Sequence, residues 1–204
     1  MPAAPCAAYA GRVPISDAPG AALRAHLRRL NRTERAVLMR ASVIGRRFRL
    51  VVLAAASALS EERLRAVLER FCILQFVVRD GTSNEWYAFR HALIRDVAYE
   101  EYVATFLRPV HRLIVRALER SAGSADLLDD LAYHAWAARD VARCLRYNEM
   151  AGDRAAAVFA TRDAGIYYTR AREFVGVNRA PHRRLTQKLC ALRDEPTEGP
   201  GSRT

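Results

Sequence analysis

The sequence predicts a mainly α protein: a winged-helix domain with a small β-hairpin, followed by α-hairpin repeats of the tetratricopeptide type. Three observations carry that expectation. Apolar residues recur at helical spacing along most of the chain, and one short window switches to strand-like runs around a turn-forming cluster. The C-terminal half then sets small and aromatic residues at positions where helices touch.

Residues 1–20 are rich in Ala, Pro and Gly with little periodicity, which predicts a disordered or loosely packed segment. Leu23, Leu27 and Leu30 mark a first helix. Asn31 followed by Glu34 is a capping-box pattern that opens a second, with Val37, Leu38 and Ala41 inward and Gly45 at its end. Ser60 can cap a third helix, in which Leu64, Val67, Leu68 and Phe71 recur at i, i+3, i+4 and i+7. LQFVVRD and EWYAF then read as two strands joined through Asp80, Gly81, Thr82, Ser83 and Asn84. A helix from about His91 to Thr105 follows, and another begins at Pro109, with Val110, Leu113, Ile114, Ala117 and Leu118 at helical spacing. Three helices and then a hairpin is the order of a winged-helix domain, placed at residues 21–121.

Gly123 marks a boundary. Residues 124–178 read as tetratricopeptide-like repeats: Leu128, Leu131, Ala132, Ala135 and Trp136 share one helical face, and Ala164, Tyr167, Tyr168, Ala171 and Val175 share another. A further helix from Val141 to about Phe159 lies between them, and Tyr147 and Tyr168 recur about 20 residues apart. Residues 179–204 are expected to be the end of a helix and a disordered tail.

Composition narrows the function classes. The longest apolar run, Leu50 to Leu59, is short of the ~20 residues that cross a bilayer, and no hydrophobic leader is legible at the start, so the expectation is a cytoplasmic chain without a membrane partner. Cys6, Cys72, Cys144 and Cys190 are widely spaced with no CxxC pair, which predicts reduced structural thiols and no metal site. The net charge is +11, and residues 1–60 carry +8 of it. Lys188 is the only lysine, so the basic surplus is arginine.

Four blocks resemble one family. ERAVLMRASVIGRRF (Glu34–Phe48), YAFRHALIRDVAYEEY (Tyr87–Tyr102), VHRLIVRALER (Val110–Arg120) and LAYHAWAARDVARCLRYNEMAGDRA (Leu131–Ala155) occur in the same order in bacterial STAND regulators. These are signal-transducing P-loop ATPases in which the ATPase core precedes a winged helix and tetratricopeptide-like repeats, often with a cyclase or LuxR-type output domain. The family's phosphate-holding GxxxxGK[ST] loop has no counterpart here, since Lys188 sits in TQKLC with no glycine before it. The expectation is therefore a non-enzymatic regulatory and protein-interaction module, without a cofactor of its own. ATP or ADP would enter only with an ATPase core in another segment or chain, and the repeats would take a protein or small-molecule ligand. Two other readings stay open: a stand-alone winged-helix DNA-binding transcription factor, and a degenerate gene fragment.

The resemblance also points to a site. In related STAND proteins a Met-His-Asp motif opens a helix of the winged-helix domain, and its histidine contacts the phosphates of ADP. Here the matching residues are Arg90, His91 and Ala92, so the histidine is kept and the acid is not. A helix start favours anions, and Arg95 falls on the same helical face as His91. Arg90, His91 and Arg95 are thus the candidate phosphate-sensing residues; the plainer alternative is that His91 bonds the strand-to-helix corner while Arg95 pairs with Asp96 or Glu100. DNA recognition is disfavoured because the would-be reading helix balances Glu61, Glu62 and Glu69 against Arg63, Arg65 and Arg70. His26, His111, His134 and His182 stand alone and are expected to be structural or solvated, and no catalytic constellation is placed. The tyrosines and Trp136 of the second half are expected to pack between helices.

Overall fold

A computed structural model describes residues 17–81, 85–101, 107–120, 127–177 and 179–194. The expected disordered ends, Cys6, the Thr82–Asn84 part of the turn, the last residues of the helix predicted to reach Thr105, and the Gly123 boundary lie outside them. The chain divides into two compact units, Met1–Leu127 and Leu128–Thr204. Among the described residues it is mainly helical with a small antiparallel sheet, and no helix is long and apolar enough to cross a membrane.

In the first unit, α1 (Asp17–Arg28) leads into α2 (Arg32–Ile44). The capping box forms as the sequence predicts: the Glu34 N–H donates to Asn31 Oδ1 at 2.9 Å, and the Asn31 N–H donates to Glu34 Oε2 at 2.8 Å. Gly45 ends the helix with its N–H on the Ala41 carbonyl. After that the chain departs from expectation. The three-residue strand β1 (Arg47–Arg49) and the helix α3 (Leu50–Ser57) intervene before α4 (Glu61–Ile73), β2 (Val77–Arg79) and β3 (Trp86–Phe89). The sheet therefore has three strands, in the order β1-β3-β2, where two were predicted. Both omissions have a physical cause. LVVLAAAS is apolar on all sides and shows no helical stripe, and RFR is too short to show alternation.

The sheet's inner face is aromatic. Phe48 of β1 lies opposite Tyr87 of β3 in register, their rings 6.1 Å apart and stacked, while Phe89 meets Phe48 edge-on at 5.8 Å. Leu38, Leu53, Leu64, Leu68 and Phe71 complete a core that is fully buried, each side chain contributing about 1.5–3 kcal/mol. Then α5 (Ala92–Glu101) and α6 (Leu107–Arg120) pack on α2, and Ile114 of α6 is fully buried.

The second unit is α7 (Leu128–Ala137), α8 (Val141–Ala157), α9 (Thr161–Glu173) and α10 (Ala180–Asp194). Here the 20-residue recurrence is sharper than the sequence suggested. Cys144, Tyr147, Asn148 and Ala151 of α8 are buried, and so are Ala164, Tyr167, Tyr168 and Ala171 of α9, each offset by the same step. Tyr147 thus corresponds to Tyr167 rather than to Tyr168. The turns repeat too: the Asp140 N–H reaches back to the Ala135 carbonyl, and the Ala160 N–H to that of Ala155, with Arg139 and Phe159 left-handed between. Finally, α10 is a full helix that runs well past residue 178, with Leu185 wholly buried against Ala164, Tyr168 and Ala171.

Candidate functional site

The β3–α5 junction carries exposed basic residues on a hydrogen-bonded backbone. The Phe89 N–H donates to the Arg46 carbonyl at 2.9 Å, and the Arg90 N–H donates to the Phe76 carbonyl at 3.1 Å, so the end of β3 is held between the entry to β1 and the entry to β2. His91 follows at once, and its carbonyl accepts the Ile94 N–H as α5 begins. Arg46, Arg90 and His91 are all exposed. The first N–H groups of α5 carry the positive end of its dipole, so an anion arriving here meets both side-chain and backbone donors. Arg46 is the member that the sequence did not indicate. It lies 44 positions from Arg90, and only the β1–β3 pairing makes them neighbours.

Arg95 does not join them. Its helical spacing from His91 is as predicted, but α5 lays that side against α2, and Arg95 is only 7 % exposed. Its Nε donates to the Ser42 carbonyl at 3.0 Å and its Nη1 lies 3.6 Å from Asp96 Oδ1. The guanidinium also sits 5.9 Å from the Tyr99 ring centre. Arg95 is thus a buried strut from α5 to α2, and the pairing with Asp96 fits the plainer of the two sequence readings.

On α4 and the hairpin, positive charge is answered locally. Arg65 pairs with Glu61 one turn away, Arg70 Nε lies 2.8 Å from the buried Glu34, and Arg79 lies 3.4 Å from Glu69. On the sheet's outer face, Arg47 pairs with Asp80 and Arg49 with Glu85, and both guanidinium groups lie over the Trp86 ring, at 4.3 and 5.7 Å. Arg63 is the α4 arginine for which the described residues provide no carboxylate.

The second unit has a polar seam. Tyr167 donates to Asp129 and Tyr168 to Asp153, each at 2.7 Å, and Arg154 reaches the same Asp129. Burial and these carboxylates push both phenols up from their ordinary range. Lys188, the lone lysine, bridges Glu149 at 3.0 Å and Asp153 at 2.6 Å from α10, while Arg184 grips Glu149 with both Nε and Nη2. The Arg184 hydrogen bond holds the Glu149 carboxyl below its usual value. Cys144 is buried with its thiol pushed up to about 12 by burial, and it donates to the Arg170 carbonyl. No group of three or more His, Cys, Asp or Glu suited to a metal occurs among the described residues. His111 and His134 are buried, His26 is exposed and His182 half-buried.

The arrangement thus comprises an exposed basic corner in the first unit and a closely packed helical stack in the second. Comparison with known family models, with curated proteins and with solved structures gives no match.

Proposed function

We propose that the chain is a regulatory, protein-interacting module of a STAND-type ATPase switch, with the ATPase core in another segment or chain. In this reading the first unit is a winged helix: α2, β1, α3, α4, β2 and β3 follow in that order, the sheet runs β1-β3-β2, and α4 takes the place of the reading helix. The second unit is the start of a tetratricopeptide-like array, supported by the 20-residue recurrence of buried positions in α8 and α9. The module itself is not an enzyme, acts in the cytoplasm, and takes a protein or small-molecule input on the repeats.

One observation carries the choice of a regulatory role over DNA reading. Arg65, Arg70, Arg79, Arg47 and Arg49, on α4 and the sheet, are tied to acids of the same unit, whereas Arg46, Arg90 and His91 stand exposed at the start of α5. A groove-binding face needs its arginines for phosphates and bases. The donor chemistry of the α5 corner suits a terminal phosphate of ADP, although the chain has no loop to enclose the nucleotide. In place of Arg95, the set proposed to sense that phosphate is His91 and Arg90, joined by Arg46.

The test is a titration of ADP into the chain alone and into its mixture with a STAND-type ATPase core. The chain alone is expected not to bind, and His91→Ala is expected to weaken ADP binding by the mixture about tenfold, the equivalent of about 1.4 kcal/mol. Equal affinity with and without His91 contradicts the assignment. A stand-alone DNA-binding role is favoured only by the element order and by the free Arg63.

A further inference from the structure

α6 presents a row of like charge. Arg108, Arg112, Arg116 and Arg120 succeed one another at i+4 along Leu107–Arg120, and all four are exposed. The opposite side of the helix buries Val110, His111, Ile114, Val115, Ala117 and Leu118. Among the described residues none of the four forms an ion pair, although the exposed Glu119 shares this face one turn beyond Arg116; Arg120 donates its Nε to the Arg116 carbonyl at 3.0 Å. Each four-residue step rises about 6 Å and turns about 40°, so the row is about 18 Å long and follows the helix's i±4 ridge. Like charges at this spacing repel and weaken the helix that carries them. The contrast is within the same unit, where Arg47, Arg49, Arg65, Arg70 and Arg79 all have acids beside them.

We propose that this face of α6 docks an acidic helix of a partner protein, one whose Asp or Glu side chains also repeat at i+4. Two helices that meet along their i±4 ridges cross at about −50°, which lays the two rows parallel. Carboxylates about 6 Å apart then face guanidinium groups about 6 Å apart, each of which accepts a carboxylate in two-point geometry. Leu113, 39 % exposed beside the row, decides between classes of polyanion. An amphipathic helix covers a leucine, and a sugar–phosphate strand has no apolar group to set there. The row is a different surface from the Arg46–His91 corner, and the proposal does not depend on the regulatory reading.

The experiment is fluorescence anisotropy with the full chain and labelled alanine-rich peptides. One peptide carries four glutamates at i+4 and a leucine, another has the same composition with the glutamates adjacent, and a single-stranded oligonucleotide is the third probe. The spaced peptide should bind about tenfold more tightly than its isomer, as expected of four exposed pairs acting together, and added salt should erode the difference. Arg112→Glu with Arg116→Glu should abolish the preference, and Arg112→Gln with Arg116→Gln should reduce it while the helical circular dichroism is retained. Equal binding of the two peptides, no binding of the spaced one, or tighter binding of the oligonucleotide overturns the proposal.

Discussion

The two units solve the same problem with different means. The first closes around large side chains, with Phe48, Tyr87, Phe71 and four leucines fully buried, and draws the charged Glu34 and Arg95 in at the margin of that core. The second is built from close contacts between small residues, Ala151, Gly152, Ala164 and Ala171, and ties its helices with phenol–carboxylate and lysine–carboxylate bridges. An aromatic core tolerates a polar rim; a small-residue stack has less apolar area per helix and draws more on polar ties. The chain's two tryptophans, Trp86 and Trp136, lie one in each unit. Single-tryptophan variants therefore let each unit be followed by itself.

The largest expected divergence between them is with pH. His111, buried in the first unit, has its pKa lowered to about 4 by burial. Because the unfolded chain takes up the proton first, this stability is present above about pH 6.5 and is lost as the pH falls towards 4, by about 3 kcal/mol in all. Asp130 of the second unit is raised to about 6 by burial and by the neighbouring Asp129. Its contribution has the opposite sign: it is greatest below about pH 4 and is lost as the pH rises through 6. Mostly buried, it contributes about 2–3 kcal/mol. Between pH 7 and about 5, denaturant midpoints should thus move down when Trp86 reports and up when Trp136 reports. Midpoints that move together break the comparison.

Packing in the second unit gives the next effect. A Cβ placed on Gly152 runs into the ring of Tyr168, which is held by its hydrogen bond to Asp153 and by Lys188 above it. Gly152→Ala gains about 1 kcal/mol of helix propensity and still should cost about 1–2 kcal/mol net, because overpacking outweighs it. The loss should appear in the Trp136 signal alone. A stabilised variant would show that α8 and α9 are less tightly joined than described. The smallest effect runs the other way. Phe159 is left-handed, with φ 57°, and 80 % exposed, so Phe159→Gly should stabilise the second unit by about 0.5–1 kcal/mol in the same melts.

Local signals in the sequence translated well, and non-local ones did not. The Asn31–Glu34 capping box, the Ser60 cap and the strand runs at Val77 and Trp86 are short-range chemistry, and each appears where the pattern put it. The helix α3 escaped because its exposed positions, Val51 and Ala55, are as apolar as its buried ones, which erases the stripe. The strand β1 escaped because its identity comes from pairing with β3, about 40 residues on. The same limit governs the candidate site. His91 could be placed at a strand-to-helix corner from its neighbours, but Arg46 becomes its companion only through the sheet, and Arg95 turns inward because α5 has α2 beside it. Lys188 was conspicuous only as a missing phosphate-loop lysine. Its partners, Glu149 and Asp153, lie a helix and two turns earlier.

The central claim is that the charge on α4 and the sheet is spent inside the first unit, leaving the chain to meet proteins rather than read DNA. The most direct measurement is the anisotropy of a labelled random-sequence DNA duplex, titrated with the full chain at physiological salt and again with Arg63→Ala. The account predicts at most non-specific binding, with Kd no tighter than about 10⁻⁶ M and indifferent to Arg63. Binding near 10⁻⁸ M that selects particular sequences from the pool and is lost in Arg63→Ala would contradict it.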